Sequence, residues 1–353
     1  MSGGAKPTEA DLIRAIAART RTTGRTPRIP LGIGDDCAIL RPPRGHELLV
    51  TTDFSLETIH FRRDWHPPES AGHRFLARGL SDLAAMGAAP LAIFLSLALP
   101  PELLSGRNSQ PAWRERFLDG LLALARKHRV PLAGGDTAAS PATPLPGTMT
   151  GLALADIVAL GTAPQGRALR RSGAKPGDAL YVTGALGGAA AELAQLAASP
   201  RRFARLRAQA DTSAHPHLFP QPRLKVGQWL AQPGRASACI DVSDGLSTDL
   251  HHLCEASHCA AIVEAARLPI HPLAAATKDG LQLALHGGED YELLFTAPAS
   301  VRVPRRIGGV PVTRIGTIRR ARRSQPTAAL FTPDQQEQPL SARGWEHFRT
   351  APL

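Results

Sequence analysis

The sequence has few aromatic residues, few cysteines and no long apolar segment. Phe, Trp and Tyr make up 5% of its 353 residues, so a nucleic-acid surface would offer few rings for base stacking. The four cysteines include no C-x-x-C pair, which leaves no zinc or disulfide framework to infer from spacing. The longest apolar run, 91–99, is too short to cross a bilayer. With no signal-peptide pattern at the N-terminus, these absences predict a cytoplasmic protein without a membrane partner.

Acidic residues are the minority among the charged residues. Lys and Arg number 41 against 30 Asp and Glu, which gives a net charge of +11. Such a charge raises the possibility of nucleic-acid binding. The arginines are mostly scattered, however, and the denser pairs, such as Arg201–Arg202 and Arg319–Arg320, fall in predicted loops. We therefore expect no nucleic-acid partner, and a non-catalytic basic nucleic-acid-binding protein stays as an alternative.

The familiar nucleotide-binding motifs are also missing. The sequence contains no G-x-x-x-x-G-K-[ST] segment, no kinase-type glycine loop with an H-R-D motif, and no G-x-G-x-x-G that opens a helix after a strand. An ATP-dependent enzyme with this sequence would have to hold phosphates through carboxylates and metal ions rather than through a P-loop lysine.

Apolar runs that predict strands alternate with amphipathic runs that predict helices. The segments 91–99, 179–183 and 238–242 are typical of strands, and 113–129 is typical of a helix. This alternation along the whole chain indicates a mixed α/β (α+β) class. The length predicts two domains, which we place at 1–160 and 161–353.

Acidic residues occur repeatedly at predicted turns after apolar runs. The segments are Gly32–Asp36, Leu49–Asp53, Leu132–Asp136, Ile240–Gly245 and His286–Asp290, and Asp82 lies in a predicted helix. Asp and Gly are common in ordinary turns, and Ser243 or Asp244 could cap a helix. A group of Asp residues nevertheless suits Mg²⁺, which is held by a few carboxylates and by phosphate oxygens. Glycines beside them let backbone N–H groups approach phosphates, so the pattern favours phosphoryl transfer.

Seven segments together resemble the thiamine-monophosphate kinase family, within the superfamily of aminoimidazole-ribonucleotide synthetase-like enzymes. They are GIGDDCAIL (32–40), TTDFSLETIHF (51–61), LSDLAAMGAAP (80–90), LAGGDT (132–137), RSGAKPGDALYVTG (171–184), IDVSDGLSTDL (240–250) and GGEDYELLFT (287–296). The terminal GWEHF (344–348) is similar to the family's ending. The resemblance implies an N-terminal α/β domain that binds ATP and metal and whose sheet forms a homodimer interface. It also implies a C-terminal α/β domain that covers the active site.

The resemblance implies a role for each matching residue. Several Mg²⁺ ions would be held by Asp36, Thr51, Thr52, Asp53, Asp82, Asp136, Asp241 and Asp244. ATP, the co-substrate, would be bound by Gly135, Asp136, Arg171 and Ser243, and thiamine monophosphate by His60, Glu289 and Trp345. The family's reaction is direct in-line transfer of the γ-phosphate of ATP, which makes thiamine diphosphate. The accepting phosphate has a second pKa of about 6 and is ionised near neutral pH, so no residue is assigned as a catalytic base.

The sequence departs from the family pattern at Thr58, where relatives have a glycine, and this bears on the geometry of the loop that carries His60. The basic segment 199–222 has no assigned role. Related ATP enzymes of the superfamily are the other alternative. Selenophosphate synthetase would carry a reactive cysteine or selenocysteine near its start, and the hydrogenase-maturation dehydratase would carry a cysteine in its tail. Neither feature is found in MSGGAKPTEA or RTAPL.

Overall fold

The structure is a computed structural model, and it describes residues 9–20, 26–104, 111–141, 151–203, 206, 214–322 and 325–346. Contacts between Cα atoms divide the chain into two compact units. The first comprises the described residues within Met1–Leu80, Pro90–Thr162 and Leu196–Asp211. The second comprises those within Ser81–Ala89, Ala163–Gln195 and Thr212–Leu353. Thr8, whose spacing from Asp11 in the sequence is typical of a helix-capping pair, lies outside the described residues.

Seven elements lie wholly or mostly in the first unit. They are α1 (Glu9–Thr20), β1 (His46–Leu56), α2 (Pro68–Ala85), β2 (Ala89–Leu99), α3 (Trp113–His128), β3 (Leu132–Ala139) and β4 (Leu154–Pro164). The strands form one four-stranded sheet in the order β1-β4-β2-β3, so β1 and β3 are its edges. Strands β2 and β3 run parallel.

Aromatic side chains pack α2 against α3 in the first unit. The ring of Phe75 on α2 meets the ring of Phe117 on α3 edge-on, with centroids 5.1 Å apart. Trp113 stacks on Phe117 at 5.2 Å. Arg116 on α3 also forms a bidentate ion pair with the buried carboxylate of Glu69 on α2. The apolar face predicted for 113–129 therefore packs against α2 through these rings.

The second unit is built on a larger, mostly antiparallel sheet. Its strands are β5 (Ala179–Thr183), β6 (Ala238–Val242), β7 (Cys259–Glu264), β8 (Glu292–Ala297), β9 (Arg306–Ile307), β10 (Val310–Arg320), β11 (Ala328–Phe331) and β12 (Glu337–Pro339). Their order is β12-β11-β7-β10-β5-β8-β6, and β9 pairs with β10. The helices are α4 (Gly188–Ala198), α5 (Leu224–Leu230), α6 (Leu246–Ala256), α7 (Pro272–Ala275) and α8 (Gly280–His286).

The core of the second unit consists of the inward faces of this sheet and of α6. Leu180, Val182, Leu294 and Leu250 are all fully buried within one cluster. The predicted strands 179–183 and 238–242 are confirmed with those bounds. Strand β10 was not predicted, because its arginines and its irregular pairing at Gly316 obscure a two-residue alternation.

Several acidic residues predicted in turns lie inside strands. Asp53 belongs to β1, which continues to Leu56, and Asp136 belongs to β3, which continues to Ala139. The prediction of turns here was wrong, because pairing with a neighbouring strand outweighs the poor strand propensity of Gly and Asp. The apolar run 38–40 likewise predicts a strand from sequence, and that prediction is wrong, because Ile39 makes only an isolated bridge with Leu31.

None of the helices formed by the described residues combines the length and the hydropathy needed to cross a membrane.

Candidate functional site

A cavity of about 770 Å³ in the first unit contains two of the predicted metal-binding acids. Its wall includes Asp36 in the loop before β1 and Asp136 in β3. Both carboxylates are exposed. A cavity of this size is typical of small-molecule sites, so the first unit brings these two acids to one place that can accept a ligand.

Gly135 lets β3 pass close to β2 in the wall of this cavity. It pairs with Leu95 in the parallel ladder and has a φ of 148°. A Cβ atom at this position would lie 1.9 Å from the carbonyl oxygen of Leu95, so only glycine fits. The next residue, Asp136, accepts a hydrogen bond from the N–H of Thr137 at 2.8 Å.

The predicted ligands Thr51, Thr52 and Asp53 follow one another along β1. Side chains alternate along a strand, and accordingly Thr51 and Asp53 are half-buried whereas Thr52 is exposed. The strand thus places Thr52 on the opposite face from its two neighbours. Asp53 forms an ion pair of 2.6 Å with Arg78, and Arg78 also donates to the hydroxyl of Ser55 at 2.8 Å.

His60 lies in a tight loop after β1. Its Nδ1 accepts a hydrogen bond from the N–H of Leu56 at 3.0 Å, and its carbonyl accepts one from Arg74 at 3.1 Å. Thr58 in the same loop has a φ of 75°, in the left-handed region. That conformation favours glycine and is unusual for a β-branched residue. Thr58 therefore holds, with some strain, a backbone conformation that glycine adopts more readily.

In the second unit, Asp241 and Asp82 lie close enough to interact electrostatically. Burial raises the pKa of Asp241 to about 7, and the neighbouring negative charge of Asp82 adds to this effect. The hydroxyl of Ser81 donates to Oδ2 of Asp241 at 2.7 Å. A buried carboxylate beside a second acid is costly without a cation. Oxygen ligands of this type fit Mg²⁺.

Ser243 and Asp244 lie just before α6 and do not cap it. The residue at the N-cap is Gly245, and no side chain caps the helix there. Instead Oδ2 of Asp249 accepts hydrogen bonds from the N–H groups of Ser243, Asp244 and Gly245, each at 3.1 Å. The buried side chain of Asp249 therefore shapes the turn that presents Ser243 and Asp244.

Asp249 is one residue with a clear structural role that the sequence analysis did not assign. Burial raises its pKa well above the usual range, and Asp241 and Asp244 act in the same direction. Among the described residues, Asp244, Asp249 and His252 form the group whose ligand atoms lie within 4.8 Å of one another. In the sequence, this role was indicated only by the position of Asp249 within the family motif 240–250.

Glu289 packs against the same turn. Its N–H donates to the carbonyl of Ser243 at 2.7 Å, and its φ is 68°. Its carboxylate lies 3.1 Å from Nδ1 of His217. The second unit therefore places Glu289, predicted to bind thiamine monophosphate, beside Ser243, predicted to bind ATP.

The tail that carries Trp345 is bonded to the start of α6. The N–H of Trp345 donates to the carbonyl of Asp244 at 3.0 Å, and the N–H of Gly344 donates to the hydroxyl of Thr248 at 2.9 Å. The side chain of Trp345 is 53% exposed. Trp345 is thus held near Asp244 through its main chain while its ring faces outward.

Arg171 is exposed, and its carbonyl accepts a hydrogen bond from Ser257 at 2.9 Å. Its positive charge counteracts the raised pKa of Asp241. The guanidinium therefore acts electrostatically on the same acid that Asp82 perturbs.

The chain is similar to known proteins over most of its length. Residues 34–163 match the model of AIR synthase related protein, N-terminal domain, and residues 175–327 match that of the C-terminal domain. Thiamine-monophosphate kinase of Escherichia coli (strain K12) is 39% identical over 333 residues, which cover 91% of this chain and 93% of the relative. This chain belongs to the thiamine-monophosphate kinase family.

Solved structures support the fold of this family member. The crystal structure of thiamine-monophosphate kinase from Stenotrophomonas maltophilia K279a has a TM-score of 0.72 and 34% identity, and the match covers 92% of this chain and 95% of that one. The structure of AaThiL complexed with AMPPCP and TMP has a TM-score of 0.68 and 26% identity, with 96% and 97% covered. The predicted mixed α/β class and the predicted family are both confirmed.

Proposed function

We propose that this protein transfers the γ-phosphate of ATP to thiamine monophosphate, with thiamine diphosphate and ADP as products. The observation that carries the proposal is the 39% identity with a thiamine-monophosphate kinase over nearly the whole chain. A structurally similar relative was solved with AMPPCP, an ATP analogue, and with TMP. This membership favours the thiamine substrate over those of related families.

In the proposed reaction, a phosphate oxygen of thiamine monophosphate forms a bond to the γ-phosphorus of ATP. The bond between that phosphorus and the oxygen bridging to the β-phosphate breaks, and ADP leaves with the electron pair. The attacking phosphate is ionised near neutral pH because its second pKa is about 6. The chain therefore needs no general base, and its residues act by positioning and charge.

The acidic residues described above are proposed to hold Mg²⁺. In the first unit these are Asp36 and Asp136 in the cavity wall and Asp53 on β1. The family pattern adds the hydroxyls of Thr51, which shares a face of β1 with Asp53, and of Thr52, which lies on the opposite face. In the second unit they are Asp82, Asp241 and Asp244. Bound Mg²⁺ would neutralise the phosphates and stabilise charge on the transferred group. The raised pKa of the buried Asp241 supports this assignment, because a cation would relieve its repulsion with Asp82.

The remaining roles are proposed from the family pattern and from local geometry. Gly135 allows the backbone of β3 to approach a phosphate, and Ser243 and Arg171 offer a hydroxyl and a positive charge to ATP. For thiamine monophosphate, Glu289 offers a carboxylate to the cationic ring system, and Trp345 offers an aromatic face. His60, held by Leu56, completes the proposed substrate contacts.

A homodimer is proposed through the exposed face of β1. This strand is an edge of its sheet, and Leu48, Val50 and Phe54 on one face are 47%, 59% and 53% exposed. A row of exposed apolar side chains on a strand is typical of an interface. We also propose the cytoplasm as the compartment, and a domain division near residue 160, which the ranges of the two family models support.

The function is tested by incubating the purified protein with ATP, Mg²⁺ and thiamine monophosphate. Thiamine diphosphate and ADP should form in equal amounts, and EDTA should stop the reaction. Free thiamine in place of the monophosphate is the control substrate. Product from free thiamine but not from the monophosphate would refute the substrate assignment.

A further inference from the structure

His217 lies in the basic segment 199–222, which has no role assigned from sequence. Its side chain is 2% exposed, and its Nδ1 lies 3.1 Å from Oε2 of Glu289. The carboxylate of Glu289 is 26% exposed. A buried imidazole is thus in hydrogen-bonding distance of a partly exposed carboxylate that the family pattern assigns to the substrate.

The main chain at His217 is held by hydrogen bonds to the side chain of Glu192 on α4. Oε2 of Glu192 accepts the N–H of His217 at 2.8 Å and the N–H of Leu218 at 3.1 Å. Its other oxygen lies 2.6 Å from Nδ1 of His215. Glu192 is 1% exposed, and charge-assisted bonds of this kind are strong when they are buried. The backbone that carries the His217 ring is therefore tied to α4.

Glu289 is constrained at its main chain as well. Its backbone is in the left-handed region with a φ of 68°, and its N–H donates to the carbonyl of Ser243 at 2.7 Å. A glutamate has several rotatable bonds, and ordering it on binding costs free energy. Because His217 holds the carboxylate in place in the free protein, part of the free energy of ordering Glu289 is not lost on ligand binding.

We propose that His217 is a positioning residue that orients the carboxylate of Glu289 toward thiamine monophosphate. The inference rests on the proposed function, because it assigns Glu289 to that substrate. His217 acts through Glu289 and touches no reacting atom. Its effect therefore falls on the binding of thiamine monophosphate and leaves the binding of ATP unchanged.

Two variants separate this role from a purely structural one. His217→Leu keeps most of the buried volume and removes the ring nitrogen, whereas His217→Asn places an amide nitrogen near the position of Nδ1. His258→Asn, at an exposed histidine of the same unit, is the matched control. We expect His217→Leu to raise KM for thiamine monophosphate about tenfold with the KM for ATP unchanged, and His217→Asn to recover most of the loss.

A double-variant cycle shows whether the effect passes through Glu289. In a Glu289→Gln background, His217→Leu should change KM for thiamine monophosphate by less than twofold. An undiminished effect in that background, or an unchanged KM in His217→Leu alone, would overturn the proposal. If His217→Leu does not fold, a KM raised as far in His217→Asn as in Glu289→Gln would also overturn it, and a near-normal KM would support it.

Calorimetric titration with thiamine monophosphate distinguishes failure of this inference from failure of the proposed function. If the wild-type protein binds the compound without phosphorylating it, the reaction is refuted, and the same comparison of variants is read from Kd. If the wild-type protein does not bind it, both proposals are refuted.

Discussion

Within the second unit, the hydroxyl of Ser81 donates a 2.7 Å hydrogen bond to Oδ2 of Asp241 in β6. Both side chains are buried. The carboxylate that receives this bond also experiences the charge of Asp82. Two acids that interact in a buried environment are a source of instability in the absence of a cation.

Asp241→Asn should separate stability from activity. We expect kcat/KM to fall by more than about a hundredfold, because even outer-shell partners of a metal contribute about 10- to 100-fold. In EDTA the variant should melt at or above the wild-type Tm, because an amide replaces the buried carboxylate next to Asp82. Added Mg²⁺ should raise Tm less than it does for the wild type. The exposed Asp334→Asn is the control, and an undiminished Mg²⁺ effect in Asp241→Asn would contradict the metal assignment.

Val50→Lys tests the proposed dimer face. A substitution in a two-fold interface occurs twice, so two lysines would be brought into an apolar contact. Light scattering should show the wild type at twice the 37.4 kDa chain mass and the variant at the mass of one chain. Phe331→Lys, at an exposed apolar residue of β11, should remain dimeric. A wild-type monomer would disprove the interface.

Gly344→Ala should displace the tail that carries Trp345. An added Cβ would lie 1.9 Å from the carbonyl oxygen of Asp244 and 2.6 Å from the hydroxyl of Thr248. Because Trp345 is proposed to contact thiamine monophosphate, KM for that substrate should rise by about five- to tenfold. This corresponds to a loss of about 1 kcal/mol of binding free energy. Steady-state kinetics should be measured for this variant and for the control Ser341→Ala. Equal KM values for thiamine monophosphate in the two variants would show that Trp345 does not contact the substrate.

Thr58→Gly should stabilise the protein. A left-handed conformation costs an L-residue about 1–2 kcal/mol, while glycine adds about 0.5–1 kcal/mol of unfolded-state entropy. We therefore expect the free energy of unfolding in urea to rise by about 0.5–1 kcal/mol. Thr313→Gly in β10, where φ is not positive, should lower it. A loss of stability in both variants would show that Thr58 is not strained.

Asp290 should make stability depend on pH. Burial raises its pKa to about 7, although the N–H groups of Gly187 and Ala189 act in the opposite direction. In the unfolded chain the carboxyl ionises near pH 4. The stabilising contribution of the neutral folded form is therefore complete below pH 4 and is lost as pH rises to about 7.

Unfolding curves from pH 4 to pH 8 measure this dependence. Relative to Asp290→Asn, the wild type should lose up to about 4 kcal/mol over that range. The exposed Asp279→Asn should follow the wild type. A constant difference between the wild type and Asp290→Asn at every pH would show that the buried carboxyl does not titrate in this range.

The sequence alone determined the family, the α/β class and the elements with strong periodicity. Mostly apolar runs such as 179–183 and 238–242 predict strands because a strand that is buried on both faces carries few polar side chains. The helix 113–129 was predictable because one face repeats its apolar residues at helical spacing. The family motifs also identified Glu289 and Trp345 as residues of interest, from local sequence and without any knowledge of contacts.

Only the tertiary structure decided which side chains become neighbours. His217 and Glu289 are far apart in sequence, so no local pattern predicts their 3.1 Å approach. The placement of Asp53 and Asp136 inside strands likewise depends on hydrogen bonds from the adjacent strands of the sheet. The shifted pKa of Asp241 arises from burial and from Asp82 on another element. Contact, burial and electrostatic fields depend on distances in space, which the order of residues along the chain does not specify.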